Sequence, residues 1–156
     1  MSTPNRASSP EMIASVQAAL GKCVLLYQSI EHLLKVYLPH VRATEEEALR
    51  DRDVDWRQLL DSKHTLGKLI KVLMERTSGS NREGLARWLQ NVVSQRNDVV
   101  HHFYDKSFAQ LRTQAQVEEA LAHLQACQVS ASQLLSVVKT LALGTLADDA
   151  TYPPLT

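Results

Sequence analysis

Residues 10–39 read PEMIASVQAALGKCVLLYQSIEHLLKVYLP. Within them Ile13, Val16, Leu20, Cys23, Val24, Tyr27, Ile30, Leu34 and Leu38 recur three and four positions apart, the spacing that aligns side chains along one face of an α-helix. Pro10 suits a helix start. Pro39 stops the helix, because the residue before a proline is pushed out of the helical region. These residues predict a long first helix from Pro10 or Glu11 to Leu38 whose single apolar stripe has to be covered by other helices.

The rest of the chain supplies such helices. A second is expected from Thr65 to Glu75, with Thr65 as its cap and Leu66, Leu69, Ile70 and Leu73 buried. The run Thr77 to Asn81 makes a turn. A third helix is predicted from about Arg82 to His102, its inward face marked by Leu85, Trp88, Leu89, Val92, Val93, Val99, Val100 and Phe103. The fourth should run from about Thr113 to Leu143, with Val117, Leu121, Leu124, Leu135 and Val138 facing in and Gly144 just past its end. Between helices 1 and 2, six acids fall in the eleven residues from Glu45 to Asp55. A short exposed helix over Glu45–Arg50 is expected there, with Trp56, Leu59 and Leu60 packing the connection onto the body. The expected fold is all-α: an up-and-down four-helix bundle over residues 10–144, with a short extra helix or loop between helices 1 and 2. Flexible tails are expected at 1–9 and 145–156.

Composition agrees with this and excludes several classes. Of 156 residues, 44% are hydrophobic but only 5% aromatic, with five glycines and five prolines, which argues against a sandwich or barrel. No repeat period marks a solenoid. The first ten residues lack the apolar run of a signal peptide, and no uninterrupted apolar stretch approaches the ~18 residues of a membrane span. Cys23 and Cys127 stand far apart inside helical patterns and read as reduced core residues, so a cytoplasmic protein with no membrane partner is expected. Seventeen basic and seventeen acidic residues cancel, which rules out a polycation held to nucleic acid by bulk charge. The cancellation is uneven along the chain. Residues 63–112 carry nine basic and four acidic groups, among them Arg96, Lys106 and Arg112, which read either as an ordinary solvated surface whose charges average out in the fold or as a set that meets phosphates.

The stretch that carries chemistry is Gln95-Arg96-Asn97-Asp98-Val99-Val100-His101-His102-Phe103-Tyr104-Asp105. Arg96 falls four residues after Val92 and four before Val100, within the apolar stripe. A desolvated guanidinium needs a buried acid, a route to water or a cleft shared with a second chain. Asn97 and His101, four apart, share one flank. On an ideal helix His101 lies ~140° around from Arg96. The two converge only if the helix loosens near His101, or if a second copy supplies one of them. Read as plain structure, His101 is a histidine near a helix C-terminus, where the helix dipole favours its charged form.

Arg96-Asn97-x-x-x-His101, at the end of the third helix of a small bundle, resembles the signature of the HEPN superfamily. Its RX4–6H motif is matched by Arg96 and His101, and its polar residue after the arginine by Asn97. The resemblance covers about residues 11–143. It implies a metal-independent endoribonuclease that works as a homodimer, with both motifs lining one cleft, and often as a toxin or phage-defence component with an antitoxin or defence partner protein. In that chemistry the 2′-hydroxyl of RNA attacks the adjacent phosphate, His101 serves as general base or acid, Arg96 holds the phosphate, and Asn97 orients either of them. No cofactor is implied. One HEPN branch has a tyrosine two residues after the histidine. Here that position is Phe103, whereas counting from His102 restores the spacing with Tyr104. His102 therefore competes with His101 for the catalytic role, and His102 and Tyr104 are otherwise expected to bind substrate. Some HEPN domains keep the fold without catalysis, so the alternative is a helical module that binds a partner protein or nucleotide.

Other chemistry fits less well. His101, His102 and Asp105 lack a further Cys or Glu at ligand spacing, so no metal is expected. Glu45-Glu46-Glu47 reads as a solvated charge run. The chain has no glycine-rich phosphate loop or nucleophile elbow.

Overall fold

A computed structural model of the chain describes residues 6–38, 66–76 and 82–149. The expectations for Glu45–Arg50, for Trp56, Leu59 and Leu60, for the Thr65 cap and for the turn at Thr77 to Asn81 lie outside the described residues. Apart from one isolated bridge and short connecting stretches, the described residues are helical. The main helices are α1 (Pro10–Tyr37), α2 (Leu66–Arg76), α3 (Arg82–Asn97) and, after three shorter pieces, α5 (Gln114–Asp149). Between α3 and α5 the chain passes through a π-helical turn (Asp98–His102), the short α4 (Phe103–Lys106) and a 3-10 turn (Phe108–Gln110).

Local chemistry accounts for the ends. Ser9 Oγ accepts the Met12 amide at 3.3 Å, just ahead of Pro10 in the first helical position. Thr113 and Gln116 form a reciprocal capping box at the start of α5. The Gln116 amide donates to Thr113 Oγ1 at 3.3 Å, and Gln116 Oε1 accepts the Thr113 amide at 3.1 Å and the Arg112 amide at 2.9 Å. Ala7 pairs with Thr113 in a single antiparallel bridge, the Ser8 amide donating to the Arg112 carbonyl at 3.0 Å. Residues 6–9, at the end of the expected tail, are thus hydrogen-bonded to the entry of α5. Helix α5 also continues past Gly144 to Asp149, so that glycine does not serve as its cap.

The chain divides into two compact units. One comprises Met1–Gln28 and Asn91–Gln133, with Val16, Cys23, Tyr27, Val92, Val99, Phe103, Val117, Leu124 and Cys127 among its buried residues. Within it Cys23 Sγ donates to the Leu124 carbonyl at 3.4 Å, and Gln128 Nε2 to the Ala19 carbonyl at 3.1 Å, which ties the first half of α1 to that of α5. The other comprises Ser29–Gln90 and Leu134–Thr156, with Ile30, Leu34, Leu66, Leu69, Leu73, Leu89, Leu134 and Val138 buried. Here α2 has no acid in its first turn, and Glu31 of α1 replaces one by accepting the Leu66 amide at 3.2 Å. Leu85 and Val100, read as inward from the sequence, are 38% and 40% exposed.

Helix α1 and residues 114–143 are each long and apolar enough to cross a bilayer. Core helices of a bundle meet the same test. In each of these two, 22% of the apolar stretch is buried, and the Cys23 thiol bonds to the Leu124 carbonyl.

Candidate functional site

The sequence candidates gather where α3 ends. Asn97 still has helical dihedrals (φ −65°, ψ −40°), after which five residues adopt the wider i→i+5 winding of a π-helix. The α-helical course resumes at Phe103 after a distorted His102 (φ −123°, ψ −10°). Burial of Val99 and Phe103, four apart, anchors the two ends of this turn while Val100 points outward.

The π turn resolves the angular conflict between Arg96 and His101. Five residues apart, they would diverge on an α-helix, whereas i→i+5 winding stacks such positions one above the other. Arg96 Nη1 lies 3.1 Å from His101 Nε2 and 3.3 Å from Asn97 Oδ1. A guanidinium has donors only, so this contact is a hydrogen bond in the tautomer that leaves His101 Nε2 as the acceptor. Asn97 and His101 are thus joined through Arg96, and all three belong to a single chain. Arg96 is half-buried at the edge of its apolar stripe, with its head in this polar cluster.

His102 is exposed, its ring edge-on to His101 with centroids 6.3 Å apart. Tyr104 is 65% exposed and lies at a tilt of 31° to Phe108, with ring centroids 6.0 Å apart. Of the two histidines, His101 therefore contacts Arg96, while His102 flanks it. Asp98 points elsewhere and accepts from Lys106 Nζ at 2.7 Å. This bond holds the Asp98 carboxyl below its ordinary pKa.

A cavity borders each side of the turn. One, of about 390 Å³, includes Asp98, Lys106, Gln110, Gln116, Glu119 and His123 in its lining and is mixed in charge. The other is an apolar groove of about 640 Å³ that takes in His101 itself, with Val100, Tyr104 and Phe108 on one side and Val24 and Leu25 of α1 on the other. The sequence pattern did not mark this groove. Its trace is Leu25, 65% exposed and off the α1 stripe, and Gly21 one turn before it.

Behind the cluster, Tyr27 Oη is fully buried with no hydrogen-bond partner. Burial pushes its pKa above the ordinary tyrosine value, and the nearby Arg96 charge opposes this only in part. Burial also raises the Cys23 thiol to about 11 and pushes the Cys127 thiol upward, so both are poor nucleophiles. Among the described residues no group of three or more His, Cys, Asp or Glu side chains could hold a metal ion.

Comparison with protein-family models, with curated proteins and with solved structures gives no match for this chain.

Proposed function

We infer that the chain is a metal-independent endoribonuclease of HEPN type, built as an up-and-down helical bundle. The observation that carries this reading is the contact of Arg96 with His101 across the π turn, with Asn97 on the same guanidinium nitrogen. π turns inside α-helices frequently mark functional sites, and this one unites an anion binder with an imidazole.

The geometry suggests an order of events. In the free protein the Nε2 lone pair of His101 is occupied by Arg96. An RNA phosphate arriving at the guanidinium competes for its N–H groups and draws Nη1 off the ring. The freed Nε2 then takes the proton of the 2′-hydroxyl as its oxygen attacks phosphorus. The bond to the 5′-oxygen breaks, that oxygen takes a proton from solvent, and a 2′,3′-cyclic phosphate is left. Arg96 offsets the charge that builds on the phosphate oxygens, and Asn97 keeps the guanidinium aimed. Substrate thus switches on its own base. His102 and Tyr104, exposed beside this cluster, contact the RNA strand.

The active form is taken to be a cytoplasmic homodimer in a toxin or phage-defence role, with an antitoxin or defence protein as partner. These expectations rest on the family resemblance alone. The deciding experiment incubates total RNA and tRNA with the protein in EDTA, beside Arg96→Ala and His101→Ala, after light scattering has fixed each oligomeric state. Cyclic-phosphate ends from wild type only, with both variants folded and at least 100-fold slower, on the order of a lost general base, support the reading. Equal cutting by all three proteins would trace the activity to a contaminant and refute it. A folded wild type that cuts nothing transfers the assignment to a binding module.

A further inference from the structure

The mechanism above uses the polar side of His101 and leaves the apolar groove on its other side without a role. We propose that this groove is a nucleobase subsite, holding the base of a nucleotide whose phosphate lies at Arg96. The inference rests on the ribonuclease reading and deepens it.

Three observations carry it. First, the groove and the polar cluster share His101, so an occupant of both must join an anion to an apolar body within a few ångströms. A nucleotide has that composition. Second, Tyr104 and Phe108 offer aromatic faces on one wall, and Val24 and Leu25 close the other, which suits a flat ring inserted between them. Its volume of about 640 Å³ is in the range of a small-ligand site, and its broad mouth leaves room for the strand to continue past a bound base.

Third, Gly21 sits midway along α1 at the groove, where no turn, positive φ or close neighbour requires it. A Cβ built there meets nothing within 4 Å. Glycine is the poorest helix former besides proline. What its missing side chain provides here is open space in the groove. Besides His101, only Gln17 and the Tyr104 hydroxyl bring polar side-chain groups to the lining, so the subsite should recognise a base chiefly by stacking and discriminate little among the four.

The test uses fluorescein-labelled 2′-O-methyl RNA pentamers, which lack the attacking hydroxyl and report binding without cleavage. Each position in turn is made abasic, and affinity is read by anisotropy for wild type, Gly21→Leu, Tyr104→Ala and Arg96→Ala. One abasic position should weaken wild-type binding about tenfold, the size of a lost stacking contact. Gly21→Leu fills the groove with a good helix former. It should bind the intact pentamer about tenfold more weakly and no longer sense the abasic site, and Tyr104→Ala should do the same. Arg96→Ala should weaken intact and abasic pentamers alike.

Gly21→Leu folded by circular dichroism yet matching wild type on every pentamer overturns the subsite and leaves the nuclease reading standing. Absence of binding to all pentamers, together with absence of RNA cleavage, overturns both. A wild-type dimer that Gly21→Leu converts to monomer in sedimentation would show a second copy covering the groove, and the base subsite falls.

Discussion

Replacing Tyr27 with phenylalanine should stabilise the protein. The Tyr27 hydroxyl is buried without a well-formed hydrogen bond, and its polar neighbour, the Cys127 thiol, is a weak donor and acceptor that interacts with it too loosely to satisfy it. A buried hydroxyl left unsatisfied costs about 1–3 kcal/mol. Removing the oxygen leaves a void smaller than the ~30 Å³ share of one water. At ~24 cal/mol per Å³ that void costs less than about 0.7 kcal/mol. The difference favours Tyr27→Phe by about 1 kcal/mol. In a chain of this size that is about 2–4 °C in melting temperature. In urea, with a slope of about 2 kcal/mol per molar, the midpoint should rise by about 0.5 M. Far-UV circular dichroism under heat and urea measures both, and an unchanged slope confirms that only stability has moved. A loss of 1 kcal/mol or more in Tyr27→Phe would refute the reasoning, since it would mean that the hydroxyl is bonded in solution. The double variant with Cys127→Ala then identifies the thiol as partner if the two losses do not add.

Gly21→Ala should add up to about 1 kcal/mol, because the new methyl enters open space within a helix and glycine is the weaker helix former; chemical denaturation reads it directly. Stability should fall above pH 9. The folded state holds the Cys23 proton up to about 11 against an ordinary value of 9, so its contribution is complete below 9 and is lost as pH rises toward 11. Within that window the slope approaches ~1.4 kcal/mol per pH unit, and urea unfolding of Cys23→Ala in reductant should show a flatter profile. Lys106→Met should return the Asp98 carboxyl toward its ordinary pKa in a carbon-detected NMR titration. The stability that Asp98 contributes is present above the ordinary carboxyl range and is lost as pH falls through its lowered value. Since the pair is exposed, the variant should lose under about 1 kcal/mol at neutral pH.

The long apolar stripes made the main helices legible. Helix α1 runs Pro10–Tyr37 against an expected end at Leu38, and α2 runs Leu66–Arg76, one residue beyond the expected Glu75. The capping pair Thr113 and Gln116 fixes α5 where the pattern put its start. Gly144 misled because a glycine costs a long helix only about 1 kcal/mol. It ends the helix when it adopts positive φ, and no described residue does. A uniform 100° per residue puts Val100 inward, a phase that the π turn resets. At the site, the demand that the helix loosen before Arg96 and His101 can meet followed from angles alone. The loosening itself is a matter of which carbonyl each amide chooses, and side-chain type does not encode that choice. The groove has no local signature, because it needs Leu25 of α1 and Tyr104, far apart in sequence, on its two walls.

The π turn also has the character of a dislocation in a crystal. One surplus residue is held in a lattice of i→i+4 bonds, and it can glide by exchanging one i→i+5 bond for its neighbour while the flanking helix stays intact. Each step carries the residue it passes from one phase of the helix to the other. A glide of the defect beyond His101 would restore the ~140° separation from Arg96 and undo their contact without unfolding anything. Register shifts of this kind belong to the microsecond-to-millisecond range. The amides from Asn97 to Phe103 are therefore where relaxation-dispersion NMR should find the helix exchanging between an assembled and a disassembled site.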